Sequence, residues 1–195
     1  MLFRVSEIEQ YRQWRDDEEA EIGTLIARLR GQEQPSEAML AGTAFHKALE
    51  RSGLGEAATL EQDGRRFLIE CDIALALPEI RELRASKAYG PLTATGQVDA
   101  IHALRIEDHK TTARFDPDRY LDGYQWRFYL DIFGARVFRW NIFEMRPIDD
   151  RVYSVYGHHT LEQCAYPGMH EDCARLAGEL FDFATTHLPE RRLAA

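Results

Sequence analysis

Asp99 and the run Asp108-His109-Lys110 are the residues whose types and spacing invite chemistry. They lie between Thr95 and Thr112, where two runs with strand-like alternation, Gln97 to His102 and Arg105 to Lys110, flank a short Ala103-Leu104 connection. An antiparallel hairpin centred on that connection sets Asp99 directly across from Asp108. Directly opposed residues share a face with Cβ atoms about 5 Å apart, so two carboxylates there weaken the pairing. A cation between them reverses the sign. Side chains alternate along a strand, which puts Lys110 on the face of Asp108 and turns Glu107 and His109 away. Two carboxylates and one ammonium therefore converge on one spot, a set suited to a hard divalent cation. Ala-Leu lacks the Gly, Asn or Asp that tight turns prefer, and a longer loop from His102 to Arg105 keeps the same pairing.

Asp99 followed by Asp108-His109-Lys110 resembles the D...(D/E)xK signature of the PD-(D/E)XK nuclease superfamily. Upstream, Gly42-Thr-Ala-Phe-His46 is similar to the GxxxH motif of that superfamily's RecB-like branch, which includes phage-type exonucleases. Gly96-Gln-Val-Asp99 is similar to its GxxD, and Gln125-Trp-Arg-Phe-Tyr129 to its QxxxY. The resemblance covers Gly42 to Tyr129 with the motifs in the family's order. It implies an α/β (α+β) fold, a central mixed sheet flanked by helices, with a restriction-endonuclease-like core. It also implies a site in which His46, Asp99, Asp108 and the main-chain carbonyl of His109 hold Mg²⁺ or Mn²⁺. Lys110 would orient the attacking water or stabilise developing charge, and Gln125 and Tyr129 would position substrate or the catalytic groups.

The activity so implied is hydrolysis of DNA to leave 5′-phosphate ends, by a stand-alone exonuclease of the phage recombination or repair kind. An endonuclease, or an enzyme directed at single strands or RNA, is the alternative within the superfamily. A catalytically silent DNA-binding or assembly domain that keeps the nuclease fold is the alternative from a different class. Intact Asp99, Asp108 and Lys110 argue against silence. DNA is the expected partner, with a recombination or single-strand-binding protein as a further candidate.

Composition narrows the classes. A chain of 195 residues suits a single domain with its own core: a helical region at 1–35, a catalytic core at 36–145, and a strand and helix at 146–195. No apolar run approaches the ~20 residues that span a bilayer, and no charged-then-apolar leader opens the chain, so a cytoplasmic protein without a membrane partner is expected. Cys71, Cys164 and Cys173 form no CxxC pair. Three thiols fall short of the four needed for the iron-sulfur cluster of some relatives. There is no GxxxxGK[ST] loop, hence no ATP.

The net charge of −9 counts against a general polyanion-binding surface. From Ala103 to Arg146, however, eight Lys or Arg stand against seven Asp or Glu. Any nucleic-acid surface is therefore expected to be local, beside the site.

The elements that must position these residues follow from periodicity. Ser6-Glu7-Ile8-Glu9 reads as a capping box opening a helix that runs as far as Arg30, with an acidic solvated face at 16–21. A second helix is expected from Ser36 to Arg51, burying Ala41, Ala44, Phe45, Ala48 and Leu49 and carrying Gly42, His46 and Glu50 on an adjoining stripe. Glu50 reads as a helix-surface carboxylate, and Glu70 and Asp72 stay outside the primary site. A strand is expected at Arg66 to Cys71, a polar excursion at Pro78 to Lys87, and a break at Gly90-Pro91. Asp116-Pro117 starts a helix that ends at Gly134 and projects Gln125 and Tyr129 from one face. Strands at Arg136 to Met145 and Arg151 to Gly157 and a helix from Met169 to His187 complete the order. His158, His159 and His170 have no metal-ligand spacing.

Overall fold

The computed structural model describes residues 1–52, 58–73, 75 and 80–192. Eight strands form one mixed sheet in the order β1-β5-β6-β7-β8-β3-β2, with β4 also paired to β5. The strands are β1 (Leu2–Arg4), β2 (Thr59–Gln62), β3 (Arg65–Ile69), β4 (Ile80–Tyr89), β5 (Leu92–His102), β6 (Arg105–Thr112), β7 (Val137–Asp149) and β8 (Val152–Cys164). The helices are α1 (Val5–Asp16), α2 (Ile22–Leu29), α3 (Glu37–Arg51), α4 (Asp118–Leu121), α5 (Gln125–Phe133) and α6 (Met169–His187). The expected class, a mixed sheet flanked by helices, is what the chain adopts. Among the described residues no helix is long and apolar enough to cross a membrane.

The sheet separates two cores. On one face α3 buries the expected Ala41, Ala44, Phe45, Ala48 and Leu49 against Phe67, Phe143 and Val155. On the other, α1, α2, α5 and α6 pack Ile8, Leu25, Phe128, Leu176 and Leu180 against Val98, Ile106 and Trp140. Ser36 caps α3, its hydroxyl accepting the Met39 amide at 3.3 Å.

Three expectations change. The first helix begins at Val5 and stops at Asp16, where Asp17 leaves helical geometry and its carboxylate accepts the Glu19 amide. The chain resumes as α2 only after the acidic run, because short carboxylates bond the local backbone in turns more readily than they propagate a helix. The helix expected from Pro117 to Gly134 is likewise two, α4 and α5, parted at 122–124. Its end is as read, with Gly134 in the left-handed region at φ 62°.

The polar excursion at 78–87 begins outside the described residues, and from Ile80 onward it is instead strand β4, antiparallel to β5. Gly90-Pro91 is the turn of that hairpin, with Tyr89 paired to Leu92.

Glu7 ties the N-terminal elements to the C-terminal end of the described chain. It is 4% exposed, accepts the Arg4 amide at 2.7 Å and pairs with Arg191 at 2.7 Å. Burial alone would raise its carboxyl, but Arg191 and the Arg4 amide outweigh burial and hold it below the ordinary value. A carboxyl depressed in the fold adds stability above its unfolded pKa and loses it as pH falls through the folded value. Arg191→Met is therefore expected to cost about 2 kcal/mol at pH 7 and progressively less toward pH 3. Urea titrations at the two pH values check this, and an equal loss at both would remove the ion pair as the cause.

Candidate active site

The hairpin of β5 and β6 has the register read from the sequence: Ala100 pairs with Glu107, Ile101 with Ile106 and His102 with Arg105. A two-residue turn at Ala103-Leu104 closes it, with Ala103 in the left-handed region at φ 53°. The next rung would be Asp99 and Asp108, and there the ladder stops. β4 pairs along the whole of one edge of β5, so β1, at 93–95, and β6, at 100–102, share the other. Between them the edge at 96–99 has no strand partner among the described residues. The main-chain amide of His109 donates instead to Asp99 Oδ2 at 2.7 Å. The two strands splay at the candidate site, held apart by a carboxylate.

Asp108 is 4% exposed and points to the α5 face. Lys110 Nζ stands 3.1 Å from its Oδ1 in a hydrogen bond, and 2.9 Å from its Oδ2 without hydrogen-bond geometry. Burial, with Asp99 adding to it, raises the Asp108 carboxyl against the pull of Lys110. Burial would lower Lys110, but Asp108 and Asp99 more than offset it, so the ammonium stays charged. Glu107 points the other way, as alternation requires. It is spent on structure, taking Arg105 at 2.7 Å and Asn141 Nδ2 at 3.1 Å.

Tyr129 and Gln125 project beside this pair from α5. The Tyr129 ring stacks on Phe138, 5.8 Å between centroids at 5°, and lies over Gly96. A Cβ at Gly96 would fall 2.5 Å from Tyr129 Cε1, so the glycine of the GxxD run makes room for the tyrosine of the QxxxY run. Burial, then the Asp108 charge, pushes the Tyr129 hydroxyl up to about 12, and Gln125 is hydrogen-bonded to it. It remains a donor at neutral pH.

Glu9, read from the sequence as the acid of a capping box with Ser6, instead seats this helix, while Glu7 caps α1 at Arg4. Glu9 Oε2 accepts the Tyr124 amide at 2.7 Å and the Gln125 amide at 3.1 Å, satisfying the free donors that open α5. Glu9→Ala is expected to cost about 1 kcal/mol in urea unfolding and to lower activity by loosening Gln125. Unchanged stability would return Glu9 to the surface.

His46 lies on the other side of β6. Gly42 lets α3 approach so closely that a Cβ there would meet Thr111 Oγ1 at 2.6 Å. The His46 ring stands edge-on to that of His109 at 6.2 Å. Its Nε2 is shut off from solvent and has no hydrogen-bond partner among the described residues. Burial first, then Lys110 and His109, lower its pKa to about 4, with Asp108 opposing. The ring is neutral at physiological pH, the form in which imidazole ligates metals.

Among the described residues no three His, Cys, Asp or Glu side chains are placed to hold a metal ion as a ready cage. The donor chemistry nevertheless fits one. Among the described residues His46 Nε2 is a buried polar atom without a hydrogen bond, an orphan of the kind that a bound ion accounts for, and Asp108 Oδ2 has the Lys110 ammonium at 2.9 Å but no hydrogen bond.

Glu82 is a residue that sequence reasoning missed. It falls at the β4 position aligned with Asp99, between the pairs Arg81 with Ala100 and Leu83 with Val98. Its backbone is left-handed at φ 53°, a rare conformation for such a side chain. Its carboxyl is raised to about 6 by burial, by a hydrogen bond with Glu50 and by the charges of Glu50 and Asp99. The Gly-Pro turn was the signal for β4, and through it for Glu82. The three histidines of the loose group at 158–170 have local partners: His159 pairs with Glu144 at 2.9 Å, His170 with Asp131 at 2.9 Å, and His158 stacks on Phe143.

No protein-family model matches the chain, and no curated protein matches its sequence. Among solved structures it is similar to the crystal structure of SSO0001, with TM-score 0.54 and 13% identity over 93% of this chain and 76% of that one. The likeness is one of fold. An alkaline exonuclease, LHK-Exo from Laribacter hongkongensis, gives TM-score 0.46 and 12% identity over 98% of this chain and 92% of that one.

Proposed function

We propose that the chain is a metal-dependent nuclease that hydrolyses DNA phosphodiester bonds to leave 5′-phosphates, working as an exonuclease. The observation that carries this reading is the Asp108-Lys110 pair set beside Asp99 where β5 and β6 part. Asp108, Asp99, His46 Nε2 and the His109 carbonyl would hold Mg²⁺ or Mn²⁺. When bound, such an ion polarises the scissile phosphate and lowers the pKa of a water. Lys110, held at the site by Asp108, would stabilise negative charge developing on the phosphate. Tyr129, protonated at working pH, and Gln125 donate hydrogen bonds that orient the phosphate against Lys110. The tight walls at Gly42 and Gly96 keep α3 and α5 close on either side, which limits the water around the reacting groups.

The test is an assay on end-labelled linear, closed circular and single-stranded DNA with Mg²⁺, Mn²⁺ or EDTA. Linear DNA is expected to be degraded from its ends with either metal and not with EDTA, closed circles remaining whole. Digestion of the circles would replace exonuclease by endonuclease, and cleavage in EDTA would remove the metal.

A further inference from the structure

The chain just past β6 presents an aromatic ring on the face of the sheet that carries Lys110. Lys110 pairs with Ile142 across β6 and β7, and Ile142 pairs with His159 across β7 and β8. Residues paired in this way share a face, and Ile142 is buried in the core that α5 covers. His159 therefore lies in the row of Lys110, two strand spacings or about 10 Å away. The Phe115 ring stacks on the His159 imidazole, 4.2 Å between centroids at 5°.

Glu144 fastens both members of this stack. Its Oε1 accepts the Phe115 amide at 2.8 Å, and its Oε2 bonds His159 Nε2 at 2.9 Å. Tyr156 adds a third tie, its hydroxyl donating to the Ala113 carbonyl at 2.7 Å. Held so, the ring has little freedom left to lose when a ligand settles on it. His159 covers one face of Phe115, and the ring also lines a cavity of about 560 Å³ with Arg114, Asp116, Pro117 and Arg119. Arg119 in turn lines the cavity that holds Lys110, Tyr120 and Gln125, so the two spaces meet at one side chain. The outer wall mixes two arginines with Asp116, whose carboxylate accepts the Asp118 amide at 3.2 Å. Charge alone would give such a wall little hold on a polyanion. A π face needs no net charge, and every base has one to offer, which suits a chain of net charge −9.

We propose that the face of Phe115 left open by His159 is a platform on which an unpaired DNA base stacks, its nucleotide lying next to the phosphate presented to Lys110. The assignment rests on the nuclease reading of the same site. By contrast, the arginine-rich cavity at Arg51, Arg65, Arg66 and Arg151 has no aromatic ring in its lining among the described residues. Two of its arginines are paired, Arg65 with Glu37 and Arg66 with Glu61.

The test uses single-stranded oligonucleotides carrying 2-aminopurine or an abasic site at successive positions from either end. They are titrated with the intact protein in Ca²⁺, beside cleavage of the unmodified DNA in Mg²⁺ and Mn²⁺. With the wild type, 2-aminopurine emission is expected to be quenched at one position, and an abasic site there to weaken binding about tenfold. Phe115→Leu keeps an apolar contact with the core. It is expected to lose the quenching and to bind the unmodified strand about tenfold less tightly, with the log-log salt slope unchanged because no phosphate contact is removed. The abasic strand should bind this variant no worse than the unmodified one, since both changes delete the same contact. Phe115→Tyr, which keeps the ring, is expected to retain affinity and quenching, and circular-dichroism melts to match throughout. Wild-type affinity in Phe115→Leu, or losses from Phe115→Leu and the abasic site that add in full, overturn the platform and leave the nuclease reading standing if the wild type cleaves. Failure of the wild type to cleave DNA in either metal overturns both.

Discussion

Lys110→Met is expected to lower single-turnover cleavage of DNA in Mg²⁺ by about 10³-fold, the scale on which loss of one preorganised stabiliser of transition-state charge is felt. Methionine fills nearly the same volume and removes only the charge and its donors. Asp108, already raised by burial, would then lose the ammonium beside it and take up a proton more readily. That response keeps the variant folded, because a buried carboxyl neutralises itself instead of standing as an unpaired charge. The loss should therefore appear in the cleavage rate and not in the melting curve. More than a tenth of wild-type activity in this variant would mean that the ammonium is a counter-ion to Asp108 and nothing more.

The second large effect is expected at a residue with no side chain. A Cβ at Gly96 would stand 2.5 Å and 2.8 Å from Tyr129 Cε1 and Cδ1, and 3.5 Å from Phe133 Cε2. The ring cannot simply retreat, since its far side is stacked on Phe138. Gly96→Ala is expected to cost about 2 to 3 kcal/mol, the upper range of overpacking in a filled core. Cleavage should fall at least tenfold as Tyr129 and Gln125 shift. In a Tyr129→Leu background the same alanine should cost at least about 1 kcal/mol less, by a double-mutant cycle in urea. Equal costs in both backgrounds would show that the glycine makes room for something other than the ring.

Much of this geometry was legible because it is local. The β5-β6 register follows from alternation about a short turn, and the buried face of α3 from apolar residues three and four apart. The ends of α6 follow from a long periodic run. What could not be read depends on partners distant in the chain. Glu9 reads as the acid of a capping box until α5 brings its free amides to it. Glu82 sits in a segment whose exposed polar side chains read as loop, and only pairing with β5 makes it a strand. His46 was found by its motif, but its place on the other side of β6 from Asp108 depends on α3 packing against Thr111, which no spacing within either segment encodes.

The parting of β5 from β6 gives Asp99 a mechanical duty beside any chemical one: its carboxylate is the spacer that stands in for a missing rung. Asparagine at that position could keep the spacer while giving up the charge, whereas alanine would let the two strands drift or close. Comparing the two replacements would separate what the opening contributes as a shape from what it contributes as a negative pole.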